Sequence, residues 1–159
     1  MDTLGFKRHD HSGCITDGVA AAARYCEAER LQFTPQRRRV LEILLEEHRA
    51  LGAYEILDRL REEGLGTQPP IAYRALDFLV SHGFAHKIER LNAFIACTNM
   101  GERHAPAFLI CRACSGVAEA HGDPRKGALG RVARAAGFTI ERAVIEAEGL
   151  CPNCQDTAQ

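Results

Sequence analysis

The 159-residue sequence carries almost no net charge, since 20 Lys and Arg stand against 21 Asp and Glu. Division after Cys97 leaves 13 basic and 14 acidic residues in the first part and 7 of each in the second. Neither part has the basic field that draws a chain onto nucleic acid or membrane, so any such binding must come from local charge placement. No apolar run approaches the roughly 18 residues of a membrane span. The opening MDTLGFKRHDH carries charges where an export signal needs an apolar h-region. Internal repeats and low-complexity tracts are also missing. The expectation is a cytoplasmic protein with no membrane partner. At 46% hydrophobic and 26% charged residues, one mid-sized domain or two small ones are expected rather than disorder.

Against these absences stand seven cysteines. In a reducing compartment, clustered cysteines bind metal more often than they form disulfides. Cys111-Arg-Ala-Cys114 and Cys151-Pro-Asn-Cys154 are two C-x-x-C pairs with 36 residues between them. Each pair can supply two thiolates from a tight turn, and together they complete a closed tetrahedral zinc site. A thioredoxin-like reading needs a C-x-x-C that opens a helix after a strand in a βαβ unit, and neither pair has that context. A nucleobase deaminase needs H-x-E followed by P-C-x-x-C. His104-Ala105-Pro106 has no such Glu, and Pro152 follows Cys151 rather than preceding it.

The rest of the chain divides by its periodicities. Residues 17–31 are Ala-rich, with Val19, Ala22, Ala23 and Cys26 at helical spacing, and Asp17 is read near the start of that helix. Thr34-Pro35 opens a second helix, running to His48, with a hydroxyl at the N-cap and Pro at the first helical position. Residues 53–63 place Ala53, Ile56, Leu57 and Leu60 on one face, and Gly64 ends the helix. After Pro69-Pro70, Ala72, Ala75, Leu76, Leu79 and Val80 repeat the stripe up to Gly83. FAHKIERLNAFIAC then reads as a β-hairpin turning near Leu91-Asn92. Helices followed by a hairpin make a winged helix-turn-helix.

Past residues 98–106, APAFLICRAC, GVAEAH and ERAVIEAEGLC read as strands. Between the last two, a helix opened by Asp123-Pro124 points Ala128, Leu129, Val132, Ala133 and Ala136 inward and stops at Gly137. One helix on a small sheet buries little by itself, so this part needs a metal or a partner subunit. The architecture is therefore α+β. A flexible arm (1–16) leads to a winged-helix DNA-binding domain (17–97), a hinge or loop (98–106) and a small α/β domain (107–159).

Two further constellations carry chemistry. The face opposite the core on the helix after Pro70 presents Tyr73, Arg74, Asp77 and Ser81. Arg74 can donate two bonds to guanine O6 and N7 in a major groove, and Tyr73 can meet a thymine methyl or a sugar. Arg37, Arg38, Arg39, Lys87 and Arg90 are candidates for phosphate contacts. His86, Cys97, His104 and Glu119 form a mixed N, S and O donor set that zinc accepts. Spacing alone does not select them, since each has an ordinary structural reading and His121 competes with Glu119. His9, His11 and Cys14 lie on the arm, where a mobile segment preorganises no site. No metal role is assigned to them or to Cys26, read as a small buried hydrophobe.

HRALGAYEILDRLRE, PPIAYRALDFLVSHGFAHKIE, FLICRAC and VIEAEGLCPNC together resemble the zinc-uptake branch of the ferric uptake regulator family. The likeness spans about Thr34 to Cys154. It implies a winged helix, a hinge and a C-terminal dimerisation domain. It also implies a homodimer without enzymatic activity or small-molecule substrate, acting as a zinc-responsive repressor of zinc-uptake genes on an operator in double-stranded DNA. Two zinc ions per subunit are implied, a structural one on Cys111, Cys114, Cys151 and Cys154 and a regulatory one on His86, Cys97, His104 and Glu119. Tyr73 and Arg74 fall at the family's base-reading positions. The iron-sensing branch carries a His-rich run before its first C-x-x-C, where this chain has only His104, so zinc is favoured over an iron or peroxide sensor on the same scaffold. A zinc enzyme would need an open coordination position, which a filled four-ligand set denies it. Ile71-Ala72 departs from the Thr-Val common in the family and removes a hydroxyl near the start of the reading helix.

Overall fold

The structure, a computed structural model, describes residues 6, 10–66, 68–100, 104–120, 123 and 125–156. The chain divides into two compact units between Glu102 and Arg103, inside the segment read as a hinge, and Phe6 is grouped with the second unit. No described helix is long and apolar enough to cross a membrane.

The first unit holds α1 (Ser12–Ala28), α2 (Pro35–Leu45), α3 (Ala53–Glu62), α4 (Pro69–Ser81), β1 (Ala85–Ile88) and β2 (Ala93–Ala96). The arm expected over 1–16 is helical from Ser12 onward, which corrects the start read near Asp17. The Asp10 carboxylate accepts the Ser12 amide at 2.9 Å and its hydroxyl at 2.8 Å, fixing the turn from which α1 grows. At the other end Arg30 takes a left-handed φ of 55°, so α1 stops at Ala28 rather than Leu31. Thr34 caps α2 by accepting the Arg37 amide, with Pro35 behind it. That helix ends at Leu45, three residues short of His48. There Leu51 turns away to exchange two backbone hydrogen bonds with Phe94 of the hairpin, each 2.8 Å.

Gly64 (φ 70°) and Gly83 (φ 75°) supply the left-handed residues just beyond α3 and α4. On α4 the buried set is Ala72, Ala75, Leu76, Phe78 and Leu79, with Val80 half-buried against the same core, so Phe78 joins the expected stripe. Strands β1 and β2 pair antiparallel, Ala85 against Ala96 through Ile88 against Ala93, and Asn92 (φ 45°) turns the chain between them. The core is a single cluster in which Val19, Val40, Leu44, Leu57, Leu76 and Phe84 are all buried.

The second unit holds β3 (Ala107–Cys111), β4 (Val117–Ala120), α5 (Ala128–Ala135), β5 (Ile145–Gly149) and α6 (Pro152–Gln155). Its sheet has the order β4-β3-β5, with β3 antiparallel to β4 and parallel to β5. Phe108, Ile110, Val117 and Ala118 supply most of its buried apolar side chains. Helix α5 begins at Ala128 rather than at Asp123-Pro124. Pro124 lies outside the described residues, and Asp123 instead accepts the Arg125 amide in a preceding turn. Of the five α5 residues expected to point inward, only Ala133 is buried, while Leu129 is 48% and Val132 67% exposed. Gly130, rather than a large apolar residue, makes the close approach: a Cβ there would sit 1.7 Å from the Arg125 carbonyl oxygen. Two turns of helix carry an apolar stripe wider than the surface this one chain covers.

Candidate metal centres and nucleic-acid interface

Parallel pairing of β3 with β5 sets Cys111 opposite Gly149, and the Arg112 amide donates to the Gly149 carbonyl at 2.9 Å. That register brings the two C-x-x-C pairs together across the residues between them. After β3 the chain turns through Ser115 (φ 60°), whose amide returns to the Cys111 carbonyl at 3.0 Å and leaves Cys114 within the turn. Cys151 precedes α6, and the Cys154 amide donates back to its carbonyl at 3.0 Å. The four sulfurs lie within 4.8 Å of one another.

The electrostatics of this cluster follow from crowding. Cys111 Sγ accepts the Cys151 amide at 3.3 Å. This bond, with further amide donors from its own turn, lowers the Cys111 thiol to about 6. Cys154 is pushed up to about 12, first by its hydrogen bond to the Cys151 sulfur and then by burial. Cys114 accepts the Gly116 amide, yet burial and the Cys111 and Cys151 sulfurs raise it above its ordinary value. The Cys111 thiolate is therefore stabilised, while Cys114 and Cys154 are pushed toward keeping their protons. Four thiolates can be held here only with a cation among them, and a four-sulfur set in this arrangement fits tetrahedral zinc.

The other predicted donors divide between the units. In the second unit His104 Nε2 lies 2.5 Å from Glu119 Oε1. Glu119 sits on β4 opposite Phe108 and is 6% exposed, a carboxylate enclosed by the sheet. In the first unit His86 sits on β1 opposite Ile95. Cys97 follows β2 and is buried, its amide donating to the Phe84 carbonyl at 2.9 Å and its sulfur accepting the Asn99 amide at 3.3 Å. His121, the competing ligand, and His9 lie outside the described residues.

On α4, Tyr73, Arg74, Asp77 and Ser81 are all exposed, as the periodicity predicts. The helix starts at Pro69 behind Gln68, whose side chain makes no cap, and Ile71, where the hydroxyl is missing, is the third helical residue rather than the cap. A cleft of about 390 Å³ runs beside it, lined among others by Tyr54, Glu55, Tyr73, Asp77, Lys87 and Asn92. Tyr54 was not singled out by the sequence reading; it is 63% exposed, an aromatic ring on the polar side of α3. That mismatch with the helix's own polarity was the available signal.

The arginines of α2 are more occupied than their run suggests. Arg37 lies 3.8 Å over the Phe78 ring and donates to the Gln32 carbonyl. Arg39 joins Glu63 at 2.7 Å, Glu42 at 3.1 Å and Glu46 at 3.2 Å. These bonds raise its already high pKa, the Glu63 hydrogen bond first. Arg38 reaches Glu42 at 3.4 Å, and Lys87 reaches Glu89 at 3.5 Å.

Residues 28–148 match the model of the ferric uptake regulator family. The chain is 37% identical over 137 residues to the zinc uptake regulation protein of Escherichia coli K12, covering 86% of this chain and 80% of that one. Among solved structures, a zinc uptake regulator complexed with zinc and DNA superposes with a TM-score of 0.82 at 35% identity, covering 90% of this chain and 96% of its own. The holo form of XcZur gives 0.76 at 38% identity, over 87% and 96%.

Proposed function

This chain belongs to the ferric uptake regulator family, and from that premise we propose that it is a zinc-responsive transcriptional repressor of zinc-uptake genes. It works in the cytoplasm as a homodimer on operator DNA and is a regulator rather than an enzyme. The observation that carries the metal half of this reading is the convergence of four sulfurs within 4.8 Å, of which one is a stabilised thiolate. Cys111, Cys114, Cys151 and Cys154 hold the structural ion. The exposed Leu129, Val132 and Phe138 support a dimer, since a small unit that leaves such side chains uncovered gains by burying them against a second copy.

A second ion per subunit, the regulatory one, is assigned to His86 and Cys97 of the first unit with His104 and Glu119 of the second. When bound, zinc supplies the divalent charge that allows a carboxylate, a thiolate and two imidazoles to be enclosed together. The buried Glu119 carboxylate beside His104 supports this assignment, because an enclosed anion calls for a cation. His86 lies on β1 and Cys97 directly follows β2, so ligation would restrain the wing. Tyr73 and Arg74 are assigned to base edges, and Arg37 and Lys87 to phosphates. A tenfold difference in DNA affinity between loaded and unloaded forms requires only about 1.4 kcal/mol of coupling.

The test is His86→Ala in the full chain, titrated against operator DNA by fluorescence anisotropy with and without added zinc. Zinc-dependent binding should weaken at least roughly tenfold while four-thiol zinc and helical content stay unchanged. An unaltered zinc response removes His86 from the regulatory set.

A further inference from the structure

The two C-x-x-C turns of the second unit are bridged by a residue from the other end of the chain. Phe6 is grouped with that unit, although Lys7 begins the first. The Phe6 carbonyl accepts the side-chain amide of Asn153 at 3.0 Å, and Asn153 stands between the two cysteines of the second pair. The Phe6 ring lies against the turn that carries the first pair. A Cβ added to Gly116 would sit 3.6 Å from two atoms of the ring and 3.2 Å from Cys114 Sγ. The bare backbone at Gly116 is thus what lets the ring and the sulfur flank one point of the chain. Beside them an apolar cavity of about 280 Å³ is lined by Phe6, Leu109, Ile110, Leu150 and Pro152 among others, and Phe6 itself is half-buried. Of the four cysteines Cys111 and Cys151 are buried, whereas Cys114 is exposed and Cys154 half-buried. Gly116 and Asn153 are neighbours in sequence of those two less protected ligands, so Phe6 lies on the side of the cluster that is open to solvent.

We propose that Phe6 is a positioning residue for the structural metal, a clamp laid across both C-x-x-C turns that retards exchange of the ion they hold. The apolar shell around a metal site sets how freely solvent and competing ligands reach it. Exchange from a four-thiolate centre begins when one sulfur opens and a proton or a foreign donor takes its place. Phe6 opposes that step in two ways. Its ring occupies the approach beside Cys114, and its carbonyl holds Asn153, which keeps the second turn from peeling away with Cys154. The docking is reciprocal, since Phe6 contacts both turns only while they stand together. The inference rests on the assignment of the structural ion to Cys111, Cys114, Cys151 and Cys154, and is independent of the regulatory set.

The experiment uses the full chain loaded with cobalt(II), whose strong tetrathiolate absorption reports the four-sulfur centre, and follows the decay of that absorption in excess EDTA. Phe6→Ala should lose cobalt at least roughly tenfold faster than the native chain. Phe6→Leu should recover most of the native rate, because an apolar side chain again covers the turns. Phe6→Ala/Asn153→Ala should be no faster than Phe6→Ala, since an undocked segment has already given up the Asn153 bond. A native rate in Phe6→Ala, or an additive effect in the double variant, overturns the clamp and leaves the four-sulfur site standing. A native chain without the tetrathiolate absorption removes the site itself, and the clamp with it.

Discussion

The two units are held together by different physics. The first buries a continuous apolar cluster drawn from four helices and a hairpin, and its charged residues pair around the rim. The second buries few apolar side chains and exposes much of α5 and β5. Its compensating asset is the sulfur cluster at the β3–β5 ends. Within one chain, a unit rich enough in apolar contacts can fold without help, while a unit of roughly fifty residues gains most from the metal and the second subunit proposed above.

The largest effect that would break this contrast comes from removing the structural ion, by Cys151→Ser or a strong chelator. Structural zinc in small domains contributes about 10–16 kcal/mol, more than the roughly 2.5–7.5 kcal/mol expected of fifty residues. Hydrogen exchange should show β3–β5 losing protection entirely while α2–α4 keep theirs; joint loss would mean one cooperative body rather than two. Next in size is Leu76→Ala in the first core, expected to cost about 2–5 kcal/mol. It should lower the melting of the helical unit with the four-thiol zinc retained, and a parallel loss of that zinc would contradict the division. Smallest is Val132→Ser on the exposed face of α5. One buried valine side chain contributes about 1.5–3 kcal/mol, so sedimentation should show self-association weakened by roughly ten- to a hundredfold. Unchanged self-association would place the subunit contact elsewhere.

Much of this contrast is legible in the sequence wherever the signal is local. Ala53, Ile56, Leu57 and Leu60 announce the buried face of α3 by spacing, Thr34-Pro35 announces the start of α2, and the two C-x-x-C pairs announce four thiols. The features that stayed hidden depend on partners far along the chain. Arg39 reads as a phosphate-binding arginine until Glu63, on the far side of α3, claims it. Glu119 is named as a candidate ligand by its residue type, but that it is enclosed rather than a solvated strand carboxylate shows only in the β3–β4 register. Periodicity showed an apolar stripe on α5 but misread it as facing this chain's own core, because spacing carries no information about what covers a stripe, and only Ala133 of the five is buried. The early start of α1 escaped because it rests on side-chain bonds from Asp10 rather than on a hydrophobic period.

The internal engagement of Arg39 also bears on how the molecule behaves among the vast excess of DNA that is not its target. Each cation turned inward is one fewer phosphate neutralised and one fewer condensed counterion released, which flattens the logarithmic salt dependence of binding by about 0.9 per contact. Such a protein makes a loose, quickly abandoned grip on arbitrary sequence and is little sequestered by the bulk of a chromosome.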